Sequence, residues 1–160
     1  MLMPVRRNDE GSLTVLVIGY TFIAAVLIVV GVDVSKVFLA QRSLSSAADA
    51  AALAGAQAVD RAAIYRGAAD CGSLPVDAPT ATTAAGASLD DAGDGLRQTF
   101  AALSDPDVQV DGDTVRVRLH GEVSVPFGRV LALLLPDHPG GRIGVTADAA
   151  ATTAMSAPRC

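Results

Sequence analysis

Hydrophobic character is distributed very unevenly along the chain. From Leu13 to Val32 it reads LTVLVIGYTFIAAVLIVVGV without one charged residue. Twenty residues at about 1.5 Å of helical rise give about 30 Å, the thickness of a bilayer's hydrocarbon core. Thirteen of the twenty are Leu, Ile, Val or Phe, and at bilayer-centre values they favour insertion by at most about 4–8 kcal/mol. The pattern predicts a transmembrane helix over residues 13–32. A buried core helix is the competing reading, but the chain has too few other large apolar residues to surround one. The run is also longer than the roughly 7–15 residues of a secretory signal, and it leads into Asp33-Val34-Ser35-Lys36 with no small-x-small cleavage site. A retained anchor is expected, with residues 1–12 as a short cytoplasmic leader. Arg6 and Arg7 precede the span and Lys36 and Arg42 follow it. The N-terminal amine and the tight Arg6-Arg7 spacing tip the orientation toward a cytoplasmic N-terminus. The chain is expected in the cell membrane as a single-pass protein with its C-terminal part extracytoplasmic.

After the span the pattern stays helical. Residues 33–63 contain no Pro and are rich in Ala, Leu, Gln and Arg, all strong helix formers. Val34, Val37, Gln41, Leu44, Ala48, Ala51 and Gly55 recur at steps of three and four and share a face. Small residues stand four apart in two rows, Ala48, Ala52, Ala56 and Ala47, Ala51, Gly55, a spacing that lets a second backbone approach closely. Alanine abundance alone accounts for the rows equally well. Residues 64–95 show no usable period and read as a linker or loop rich in Ala, Thr, Gly, Pro and Asp. Leu96, Phe100 and Leu103 fall at i, i+4 and i+7 and predict a short helix.

The period then switches to two. Val108 and Val110 alternate before Asp111-Gly112, and Val115, Val117 and Leu119 alternate after it, the signature of a hairpin. A loop of two or four residues puts Val108, Val110, Val115 and Val117 on one face. Residues 129–136 (RVLALLLP) read as a short apolar helix or buried strand, and Ile143, Val145, Ala147 and Ala149 alternate with Thr146 and Asp148. The fold class is therefore α+β. A long N-terminal helix, half transmembrane and half Ala-rich, covers a three- to four-stranded antiparallel sheet within residues 96–153, followed by a tail over 154–160.

Composition narrows the function. Thirty of the 160 residues are Ala, Trp is absent, and the net charge is −5 with one Lys against eleven Arg. No basic face is available for nucleic acid. Asp105, Asp107, Asp111 and Asp113 resemble a calcium loop, but the Gly and Glu positions of an EF-hand hold Val110 and Arg116. His120 and His138 lack partners at metal-ligand spacing, and Ser35, Ser43, Ser45 and Ser46 have no nucleophile elbow around them. No catalytic, cofactor-binding or metal residue and no small-molecule substrate is expected. Cys71 and Cys160 are a candidate disulfide in an oxidising compartment, closing a loop for up to about 4–5 kcal/mol. Domains of this composition also exist without one.

These residues carry a resemblance. Asp9, Glu10 and Gly11, the span, Asp33, Arg42 and the block Ala48-Asp49-Ala50-Ala51-Ala52-Leu53-Ala54 resemble the N-terminal region of TadE/TadG-like proteins of the Tad (tight adherence) apparatus, which assembles Flp pili. Residues 114–153 resemble the family more loosely. The resemblance implies a non-enzymatic pseudopilin or assembly accessory. Its partners are the lipid bilayer and, through the helix, other pilus-assembly or secretion proteins. It also implies a candidate leader-peptidase site between Gly11 and Ser12. Peptidase-processed pilins carry Glu five residues after the cleaved Gly, and here that position is Leu16. That favours a TadG-like membrane component over a major filament subunit and leaves processing open. A membrane-tethered envelope binding module, recognising a ligand through its hairpin and residues 129–136, is the alternative.

The span carries its own test. Ala25→Arg, near the bilayer centre, costs about 2.5–3.5 kcal/mol of insertion, whereas Leu13→Arg can snorkel to the interface. Membrane fractionation is expected to fall for Ala25→Arg and to persist for Leu13→Arg.

Overall fold

The computed structural model describes residues 10–67, 74–125, 128 and 141–153. The first element, α1 (Glu10–Ala56), is one uninterrupted α-helix of 47 residues, about 70 Å long. It ends earlier than the sequence predicts. Asp60 caps a separate short helix, α2 (Arg61–Tyr65), its carboxylate accepting from the Ala63 amide at 2.9 Å. Between the two helices Val59 bridges Val76, the Asp60 amide donates to the Pro75 carbonyl, and the Asp77 amide donates to the Ala58 carbonyl. Those bonds draw the backbone away from the helix axis, so propensity alone does not carry α1 to Ala63.

The third helix corrects the linker expected over residues 64–95. Asp77 caps α3 (Ala78–Thr99), accepting from the Thr80 amide, with Pro79 in the first turn, where its missing N–H costs nothing. Its buried positions are Ala81, Ala85, Leu89, Gly93 and Leu96. They follow helical steps of three and four, but Ala and Gly supply most of the stripe and the hydrophobic signal is correspondingly faint. The helix predicted over Leu96–Leu103 is the last turn of α3. Phe100 turns extended at φ −104°, ψ 137°, and Leu103 passes into a strand.

Four antiparallel strands follow: β1 (Ala102–Leu103), β2 (Asp107–Asp111), β3 (Thr114–Ser124) and β4 (Arg142–Thr152). β3 is central. β4 pairs along its whole length, from Thr114 opposite Thr152 to Ser124 opposite Arg142. β2 and β1 share the other edge end to end, with Val108 opposite Val117 and Ala102 opposite Glu122. The hairpin uses a two-residue loop, which puts the four valines on one face as expected. It turns at Gly112-Asp113, one residue beyond the Asp111-Gly112 pair, with Gly112 at φ +61°. That conformation is open to Gly at no steric cost.

One face of the sheet is covered by α1 and α3. The core joins Leu44, Val115, Val117, Leu119, Val123, Leu96 and Phe100 to a bed of alanines, and among the described residues it buries no polar or charged side chain. Ala47, Ala48, Ala51, Ala52 and Ala56 are each at most 8% exposed, and Gly55 is buried beside them. A Cβ at Gly55 would stand 2.9 Å from Val115 Cγ1 and 3.3 Å from the Ala81 carbonyl oxygen. Residues 129–136, His138, Cys71 and Cys160 lie outside the described residues.

Close approach makes this face intolerant of bulk. Gly55→Ala gains about 0.5–1 kcal/mol of helix propensity but must displace a buried β-branched side chain, and overpacking costs about 1–3 kcal/mol. Both Gly55→Ala and Ala52→Leu are expected to lower the thermal unfolding midpoint and increase proteolysis. Gln57→Leu, at an exposed position, is expected to leave both unchanged.

Candidate functional site

Among the described residues three surfaces bear on function, and the helix supplies two of them. Over the lower half of α1 the large apolar side chains point outward: Leu16 is 69% exposed, Phe22 69% and Leu27 66%. None of its most apolar 18-residue window is buried within the protein, although the helix is long and apolar enough to cross a membrane. A helix of a soluble core would bury such a window. Ser35 Oγ donates to the Gly31 carbonyl at 2.7 Å, a back-bond that satisfies a hydroxyl just beyond the uncharged run.

Over the upper half, the rows Ala48, Ala52, Ala56 and Ala47, Ala51, Gly55 are covered by the chain's own sheet and α3. A separate protein cannot use that face while the domain is folded. Gln41 fastens the same side of the helix to the sheet, its Nε2 donating to the Thr146 carbonyl at 2.9 Å. Beyond the uncharged run, the large apolar side chains that α1 leaves outward are Val34, Phe38, Leu39 and Leu53, beside the exposed Lys36, Arg42 and Asp49.

The third surface is the open face of the sheet, opposite the helices. Alternation along β3 sends Val115, Val117 and Leu119 into the core and Arg116, Arg118 and His120 outward. A shallow cavity of 370 Å³ there is lined by Asp107, Gln109, Arg116, Arg118 and Asp148. Arg118 Nε donates to Asp148 Oδ1 at 2.5 Å across the β3–β4 pair. That hydrogen bond, helped by the charge of Asp148, raises the guanidinium pKa above its ordinary value. Arg142 meets Glu122 at 3.4 Å, and His120 Nδ1 lies 3.1 Å from Thr146 Oγ1. These pairs join facing strands at exposed positions, where ion pairs add little to stability. The sequence alone does not single out these arginines, because alternating Arg and Val reads as the solvated half of a strand.

Chemistry is sparse. Among the described residues no group of three or more His, Cys, Asp or Glu could hold a metal ion. Asp107 and Asp111 sit at the two ends of β2 and Asp113 in the turn, so strand geometry separates the acidic cluster. Gly11 and Ser12 lie in the first turns of α1, within a continuous helical backbone.

No match was found among curated proteins or among solved structures. A family model does match, over residues 11–58, which is α1 almost end to end. The segment that carries the uncharged run, Asp33, Arg42 and the alanine block is similar to the family described as Tad, putative Flp pilus-assembly TadE/G-like, and the N-terminal segment of this chain is therefore TadE/G-like.

Proposed function

We propose that this chain is a non-enzymatic, single-pass membrane component of a Tad/Flp-type pilus assembly or secretion apparatus, a TadG-like protein or minor pseudopilin. The observation that carries the reading is a coincidence of boundaries. The TadE/G-like match covers residues 11–58, and the same stretch is a single helix with an outward apolar half and a buried alanine half. The motif thus follows the element that would anchor the chain and the face that would hold its domain.

The mechanism is mechanical rather than chemical. α1 fixes the domain to the bilayer, its alanine face anchors the sheet and α3, and the surfaces left open contact other subunits. Partner contacts fall to the lipid-facing half of α1 and to the polar outer face of the sheet, because the alanine rows are occupied within the chain. Arg116 and Arg118 on that outer face suit a partner surface bearing carboxylates, and Asp107 and Asp148 restrict the register in which it can dock.

Two measurements test the reading. Shearing cells that produce the chain is expected to leave it in a multiprotein membrane complex or release it with a pilus fraction. A monodisperse membrane protein would favour the tethered binding module instead. A membrane-impermeant maleimide applied to intact, reduced cells is expected to label Cys71 or Cys160. Labelling only after lysis would reverse the cytoplasmic-N, extracytoplasmic-C orientation.

A further inference from the structure

The end of the span and the base of the domain share one surface. An apolar groove of 540 Å³ runs between α1 and the end of the sheet, walled by Val30, Val34 and Phe38 on the helix and by Val125 and Ile143 on the sheet. Val30 belongs to the uncharged run that closes at Val32, so one wall of the groove starts inside the candidate span while the other is sheet. The groove is open outward: Val34 is 63% exposed, Phe38 66% and Ile143 42%.

Helix geometry fixes the height of this surface. Ala40 is the first fully buried residue of α1, eight positions and about 12 Å beyond Val32. The headgroup layer on each side of the hydrocarbon is about 5–8 Å deep. No flexible linker separates the span from the domain, because the helix is continuous through Ala56. The sheet end beside Val34 therefore falls in the headgroup layer, and it cannot float clear of the bilayer without breaking α1. Lys36 is exposed at the same level, a cation placed to meet lipid phosphates, while Arg142 beside Ile143 is paired with Glu122 at 3.4 Å. The walls are mostly branched or aromatic, with Asp33, Gln41 and Gly128 also lining the groove, and they offer no row of small residues for a second helix to approach. A flexible acyl chain fits such walls; a helix backbone does not.

We propose that the base of the domain is seated in the interfacial layer of the leaflet from which α1 emerges, with Phe38 and Ile143 in contact with phospholipid and lipid filling the groove. The inference rests on the reading of α1 as a membrane span, and its test separates the two.

The chain contains no Trp, so a single substitution provides a unique fluorophore. Full-length Phe38→Trp, Ile143→Trp, Ile23→Trp and Leu53→Trp are each reconstituted in phosphatidylcholine vesicles brominated either near the headgroup or near the acyl-chain end. Phe38→Trp and Ile143→Trp are expected to lose emission mainly to the shallow bromines. Ile23→Trp should lose it mainly to the deep ones, and Leu53→Trp to neither. Quenching of Ile23→Trp with full emission from Phe38→Trp or Ile143→Trp would overturn the seating while leaving the span intact. Blue-shifted emission from those two without lipid quenching would overturn it in favour of a protein cover, either a second copy or the chain's own residues 129–136. An unquenched Ile23→Trp would remove the span, and the seating with it.

Discussion

The fold depends on one constraint: a helix whose buried face is made of alanine and glycine must lie almost against its sheet. Small side chains bury little area each, so they stabilise mainly by letting backbones and larger neighbours come close. Gly55 shows how close, since even a methyl group there would strike Val115. The large apolar residues of the core come chiefly from the sheet, where Val115, Val117 and Leu119 project into the alanine bed. Gly121 repeats the arrangement beneath Phe100, whose Cδ1 would be 2.7 Å from an added Cβ. This is how a chain with 4% aromatic residues and no Trp closes a core.

Legibility in the sequence follows from the same fact. The candidate span is plain in the sequence, because thirteen of its twenty residues are large and apolar and none is charged. The hairpin and β4 were plain too, because Val and Ile alternate with Arg, Asp and Thr at a period of two. The alanine rows are visible as spacing, and the Ala-rich half of the helix is expected to cover the sheet, but the spacing does not say that the rows themselves face it. Ala at i and i+4 looks the same whether it faces a sheet, another subunit or water, and the core fixes it as the chain's own sheet and α3. α3 was lost for a related reason. Its buried stripe has only Leu89 and Leu96 as large residues, and Thr, Gly and Asp around them mask the period. The Asp77 cap with Pro79 in the first turn was the signal that could have found it. α1 ends before Ala63 because Asp60 caps a new helix, a break that helix propensity alone does not show.

The surfaces that could serve function divide by chemistry. The apolar one lies low on α1 and is continuous with the candidate span. The polar one lies on the far side of the sheet, where Arg118 and Asp148 pair across strands. Among the described residues, Asp107 and Asp111, which belong to the stretch that resembles a cation loop in sequence, stand at the two ends of β2 and Asp113 in its turn. An assembly component fits this division, since it must satisfy lipid at one end and protein neighbours at the other.

The unbroken length of α1 has a consequence for orientation. A span and a domain joined by a flexible linker can incline independently, but a single helix from Glu10 to Ala56 makes them one lever. When hydrophobic length and bilayer thickness disagree, a helix answers by tilting. In this chain the sheet must lean with it, swinging its polar face through the same angle. With residues 13–32 as a membrane span, the local thickness of the bilayer would set the direction in which the domain presents its arginines.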